Sequence, residues 1–131
     1  MTCSLGQTHI FPLGGKRILI ADDDGVAADR LTSELSALGA TVLKSSTTDQ
    51  ASNLAQATNV SLAVIDPECR GRDAVGIAHV LLERGIPFVI HTYRSAEAGR
   101  WASMPLVLKP DHCGEVARTV LRLAQTSSIP Q

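Results

Sequence analysis

Aromatic side chains are scarce in this chain: one Trp, one Tyr and two Phe, 3% of 131 residues. Val, Ile, Leu and Ala must therefore fill any core, and with 44% hydrophobic residues they are plentiful. The length fits one domain with a real core and leaves no room for a second sizeable one. Cysteines are few and odd in number: Cys3, Cys69 and Cys113, widely spaced and without a C-x-x-C pair. That argues against a disulfide framework or a zinc site, and a reducing cytoplasm is the expected location. No basic excess exists: 12 Lys and Arg stand against 13 Asp and Glu, for a net charge of −1. The composition thus carries no footprint of nucleic-acid binding. No apolar run approaches the roughly 18 residues of a membrane span. Residues 1–15 lack the basic start and long apolar stretch of a secretory signal.

What is present is alternation of two kinds of segment. After an arm without clear period, residues 1–15, the run Arg17-Ile18-Leu19-Ile20-Ala21 is apolar without alternation, as a strand buried on both faces of a parallel sheet would be. Residues 25–38 follow with Ala27, Leu31, Leu35 and Leu38 at helical spacing, and Gly39 supplies a stop. The pattern repeats. Strands are expected at 41–44, 61–65, 87–91 and 105–108, and helices at 48–57, 73–84, 95–102 and 113–125. Thr47 or Thr48 is the expected cap of the second helix. In the third helix Val75, Ala78, His79 and Leu82 share one side; in the last, Val116, Val120 and Leu123 do. The expected organisation is a loose arm over 1–15, one domain over 16–125 and a frayed tail over 126–131. Five strands alternating with five helices predict an α/β fold, a parallel sheet with helices on both faces.

In such folds the functional crevice lies at the carboxyl ends of the strands. Polar residues gather there. Asp22 and Asp23 end the first strand, Asp66 the third, Thr92 the fourth and Lys109 the fifth. Three carboxylates crowded at one end of a sheet repel one another, and a divalent cation relieves this; Mg²⁺ favours such hard oxygens. Lys109 adds a compact positive charge, and Thr92 a hydroxyl able to donate to a phosphoryl oxygen. A carboxylate that attacks phosphorus yields an acyl phosphate, and phosphoryl transfer needs chiefly positioning and charge neutralisation. The set is chemically complete for forming an aspartyl phosphate.

These residues resemble the motifs of response-regulator receiver domains. Ile18-Leu19-Ile20-Ala21-Asp22-Asp23-Asp24 resembles their acidic-pair strand, and Asp66 in Ala63-Val64-Ile65-Asp66 matches the phosphoacceptor. Thr92 matches the switch hydroxyl, and Lys109-Pro110 the lysine motif, whose peptide bond is often cis. The resemblance covers about residues 16–125. It implies a flavodoxin-like (βα)5 fold with strand order 2-1-3-4-5. It also implies Mg²⁺ held by Asp22, Asp23, Asp66 and the backbone carbonyl of Glu68, with Asp66, Thr92 and Lys109 as the catalytic set. The expected partners are a histidine kinase or histidine phosphotransfer protein and a downstream protein, with neither nucleic acid nor membrane engaged. The fourth helix, fifth strand and fifth helix are the expected signalling face. The chain would act as a switch rather than an enzyme, without its own DNA-binding output domain. Ile86-Pro87-Phe88-Val89-Ile90-His91-Thr92-Tyr93 is similar to the fourth-strand motif of FAT-GUY single-domain regulators. Asp73-Ala74-Val75-Gly76-Ile77-Ala78 and the short stretch from Thr92 to Lys109 fit that group as well.

The chain also departs from the pattern. Tyr93 follows the switch threonine where the family usually has Ala or Gly; its ring would hinder phosphodonors and water. His91 replaces a small residue, and Leu106 stands where many receivers carry a switching aromatic. Pro67 and Arg70 alter the loop after Asp66. Singly, each polar residue has a plainer explanation: Asp24 as a helix cap, Asp66 as a turn residue, Thr92 as a strand threonine, Lys109 as a surface charge. His79 is expected on a helix face, His112 at the surface or as a cap, and Trp101 and Met104 against the sheet. Two other readings stay open: a phosphorylation-independent binding or inhibitory module, with Tyr93 blocking the acceptor, and a small Mg²⁺-dependent phosphohydrolase. A flavin binder is excluded, because Asp22-Asp23-Asp24 would repel a phosphate at the first turn.

Overall fold

The computed structural model describes residues 11–69, 74–94, 101, 103–111 and 113–127. Five strands form one parallel sheet: β1 (Arg17–Ala21), β2 (Thr41–Ser45), β3 (Leu62–Ile65), β4 (Phe88–Thr92) and β5 (Leu106–Leu108), in the order β2-β1-β3-β4-β5. Four helices are described: α1 (Gly25–Ala37), α2 (Thr48–Ala57), α3 (Val75–Glu83) and α4 (Glu115–Ser127). The short helix expected at 95–102 falls largely outside the described residues, as does His112.

The strands read as continuous apolar runs because both faces of the sheet are covered. Successive side chains alternate between faces. Leu19, Ala21, Ala63, Ile65, Phe88 and Ile90 join one core, which Ala51 and Ala55 of α2 and Ile77, Ala78 and Leu81 of α3 complete. Ile18, Ile20, Leu62, Val64, Val89 and Val107 join the other, closed by Ala28, Leu31 and Leu35 of α1 and Val116, Val120 and Ala124 of α4. Burying each of the larger aliphatic side chains contributes about 1.5–3 kcal/mol, so the scarcity of rings is no handicap. Two of the four aromatics meet: the Trp101 ring lies edge-on to Phe88 at 6.4 Å, and Trp101 and Met104 pack against the first core.

Register aligns the carboxyl ends. Ala21 is level with Ser45 on one side and Ile65 on the other, and Thr92 is level with Leu108. Whatever follows these residues emerges along a single edge.

Two local expectations are corrected. Residues 11–15 were expected to belong to a loose arm, yet they form a turn whose Leu13 is fully buried, its N–H donating to the Leu38 carbonyl at 2.9 Å. The turn presses on Gly39 so closely that a Cβ there would lie 3.0 Å from Phe11 Cβ and 3.1 Å from Gly14 N. Gly39 also has φ of 101°, so glycine is required twice over. In α3 the buried face is Ile77, Ala78 and Leu81; Val75, His79 and Leu82 are exposed. That helix, Val-Gly-Ile-Ala-His-Val-Leu-Leu-Glu, is apolar nearly all round, so spacing alone does not single out the stripe that meets the sheet. Among the described residues, no helix is long and apolar enough to cross a membrane.

Candidate phosphoacceptor site

Three of the polar residues at the sheet edge are held by their own backbone before their side chains act. The N–H of Asp22 donates to the Ser45 carbonyl at 3.0 Å, that of Asp66 to Ala21 at 2.9 Å, and that of Lys109 to Thr92 at 2.8 Å. Each of the three is thus the last rung of a ladder between neighbouring strands. The side chains then converge. Carboxylate oxygens of Asp22, Asp23 and Asp66 lie within 4.8 Å of one another. Asp22 and Asp66 are buried and Asp23 is exposed. The Lys109 ammonium is 2.8 Å from Asp22 Oδ2 and 2.8 Å from Asp66 Oδ2, bridging the two buried acids.

The remaining oxygens are also engaged. Asp22 Oδ1 accepts from the Asp24 N–H at 2.9 Å, and Asp66 Oδ1 from the Glu68 N–H at 2.8 Å. Burial pushes the Asp22 carboxyl above its ordinary range, against the pull of Lys109 and of the Asp24 N–H. Burial also opposes charge on Lys109, but hydrogen bonds to Asp22 and Asp66 outweigh it and hold the ammonium above its ordinary pKa. Lysine is therefore charged, and one cation faces three acids. That surplus negative charge, made of hard oxygen donors with one on the open side, suits a divalent cation such as Mg²⁺. Glu68 lies in the turn that follows Asp66.

Thr92 is fully buried at the end of β4. Its hydroxyl accepts from the Arg94 N–H at 3.2 Å, and the described contacts do not bring it onto a carboxylate. The Lys109–Pro110 bond is cis.

Three features of the rim were not legible beforehand. Tyr93 was flagged only for bulk. Its hydroxyl reaches across to Asp24 Oδ2 at 3.1 Å, and its ring sits 5.2 Å from the Lys109 ammonium, within cation–π range. The hydrogen bond to Asp24 raises the phenol pKa. Asp24 is the cap of α1, accepting from the Ala27 N–H at 3.2 Å, and that bond, with the phenol, lowers its carboxyl pKa. Next to Tyr93, Arg94 pairs with Glu68 at 3.1 Å, so two successive residues reach the loops after β1 and β3. Bonds between residues 69 and 26 positions apart leave no periodic trace in a sequence.

Solved structures carry the same architecture. The response regulator TrrA of Thermotoga maritima, determined in complex with Mg²⁺–BeF, superposes with a TM-score of 0.74 at 22% identity, over 82% of this chain and 98% of that one. The chain folds as a response-regulator receiver domain. The receiver domain of the TMAO respiratory system regulator TorR gives a TM-score of 0.75 at 23% identity, covering 85% and 98% of the two chains. SdrG of Sphingomonas melonis Fr1 gives 0.71 at 28% identity, covering 82% and 95%. No family model and no curated protein matches the sequence. What these structures share with the chain is the receiver fold, with its 2-1-3-4-5 strand order.

Proposed function

We propose that this receiver is a phosphorylation-controlled switch of a two-component phosphorelay, with Asp66 as the acceptor. The observation that carries the reading is the Lys109 ammonium at 2.8 Å from both Asp22 and Asp66, with three carboxylates gathered within 4.8 Å. Asp66 Oδ would form the new P–O bond while the bond from phosphorus to the donor's leaving group breaks, its electron pair departing with that group. A histidine kinase or histidine phosphotransfer protein is the proposed donor. Asp22, Asp23, Asp66 and the Glu68 carbonyl would hold Mg²⁺, which when bound supplies charge neutralisation at the transferring group. Lys109 would leave Asp66 for a phosphoryl oxygen, and the Thr92 hydroxyl would turn from Arg94 toward another. The charge change biases two conformations, read by a protein partner at the β5 and α4 side of the sheet. Asp66 is consumed and regenerated rather than used to turn over a substrate, so we read the chain as a switch and not an enzyme. A cytoplasmic location goes with this reading.

A second reading has one observation in its favour. Tyr93 covers the lysine and is tied to Asp24, as a phosphorylation-independent binding module would allow. Incubation with acetyl phosphate and Mg²⁺, followed by intact mass, separates the two. The switch predicts a gain of one phosphoryl group, absent without Mg²⁺ and in Asp66→Asn. A gain only after Tyr93→Ala would identify the ring as the barrier to small donors. If neither protein gains mass nor binds Mg²⁺, the binding module stands and the switch is abandoned.

A further inference from the structure

His91 is the one sizeable polar side chain of β4 that the acceptor chemistry does not use. It is 4% exposed, and among the described residues neither ring nitrogen has a hydrogen-bond partner. Leaving buried polar atoms unpaired costs about 1–3 kcal/mol each, so such a residue calls for an explanation. Strand alternation puts it with Val89 on the side of the sheet covered by α1 and α4. There it lines a cavity of about 140 Å³. Val26, Ala27 and Leu31 of α1, Pro110 and the Tyr93 ring give it apolar lining, and Asp24, Arg30, Glu34, Lys109 and Asp111 bring charged groups to it. A cavity of about 150 Å³ accepts a benzene-sized ring.

Those charges are committed or balanced. Asp24 is taken by the α1 cap and Tyr93, and Asp111 by the N–H groups of Glu115 and Val116 at 2.8 and 2.9 Å. Lys109 is shared between Asp22 and Asp66. Arg30 and Glu34 bring one charge of each sign a helical turn apart. The imidazole itself is neutral at pH 7, its pKa pushed by burial down to about 4. A neutral imidazole has one donor and one acceptor nitrogen. A lactam-type edge, with N–H beside C=O, pairs with either nitrogen whichever carries the proton.

We infer that the cavity between α1 and the ends of β4 and β5 is a binding site for a small, uncharged, single-ring ligand bearing adjacent donor and acceptor groups, anchored on His91. The nitrogens are enclosed as the ring stands, so the imidazole turns as the ligand enters. The occupant would touch Lys109 and Tyr93, which also line the cavity. The inference stands whether or not Asp66 accepts a phosphoryl group.

The probe is 2-pyridone, with benzene as an apolar ring of equal size and benzoate as an anion. Binding is read by NMR on protein carrying ¹⁵N-histidine. The expected result is saturable 2-pyridone binding that shifts the His91 ring nitrogens by several ppm, with benzene and benzoate at least tenfold weaker. His91→Phe is expected to lose at least tenfold in 2-pyridone affinity. Should that variant fail to fold, the ring-nitrogen shift in the unaltered protein decides alone. Absence of 2-pyridone binding, or binding equal to that of benzene with unmoved His91 nitrogens, would overturn the inference.

Discussion

Lys109 and His91 lie close together and answer burial in opposite ways. Lysine keeps its charge because two buried acids share it; histidine surrenders its charge because desolvation is the largest influence on it. Each leads to a measurement. Lys109→Met leaves Asp22 and Asp66 buried with no cation between them, and removing one member of a buried pair costs about 3–5 kcal/mol. Urea unfolding at pH 7 is expected to show a loss of about that size. The loss should shrink on adding Mg²⁺, and also as the pH falls, since burial already raises the Asp22 carboxyl and removing Lys109 removes an influence that lowers it. For His91 the sign is the reverse. Its folded pKa of about 4 lies below the ordinary 6.5, so between those values the unfolded chain binds the extra proton. The contribution is whole above pH 6.5 and is lost as the pH falls toward 4. The shift corresponds to about 3 kcal/mol. Comparing the pH dependence of unfolding with that of His91→Phe isolates this component from the carboxylates that titrate nearby.

Among the elements, α1 carries the most consequences for its size. Its cap, Asp24, directly follows the acidic pair, so one short loop both starts a helix and positions two candidate metal ligands. The cap's other oxygen holds Tyr93. Asp24→Ala is expected to cost about 1 kcal/mol in unfolding experiments. It should also lower the phenol pKa in a spectrophotometric titration, because the acid that raises it is gone. An unchanged phenol pKa would mean that the Tyr93 hydroxyl does not rest on Asp24 in solution. At the opposite end of the sheet, α1 closes with Gly39 beneath the turn carrying Leu13. α4 is capped from a distance: Asp111 accepts two N–H groups, from Glu115 and Val116.

Across the whole molecule, what was legible in the sequence was whatever repeats or sits at a boundary. Apolar runs such as Ile18–Ala21 and Leu62–Ile65 announced a sheet covered on both faces, because a doubly buried strand has no solvent-facing side to fill with polar residues. The order of strand ends brought Asp22, Asp66 and Lys109 to one edge, where side-chain contacts join them. Asp24 was legible as a cap from its place before Gly25. What stayed hidden depends on tertiary contact. The buried face of α3 could not be chosen from a helix apolar on most sides, and Leu13 gave no periodic signal in an irregular segment. The reach of Tyr93 to Asp24 spans the width of the site, and the isolation of His91 exists only once α1 and α4 have closed over it. The backbone ladder at the sheet's edge has a consequence for dynamics. The amides of Asp22, Asp66 and Lys109 each donate to a neighbouring strand, so their hydrogens open to solvent only when the strands themselves separate. Deuterium exchange at these three positions should be among the slowest in the protein. It should stay so when the Lys109 side chain is exchanged between partners, leaving the rim loops to register the event on a faster clock.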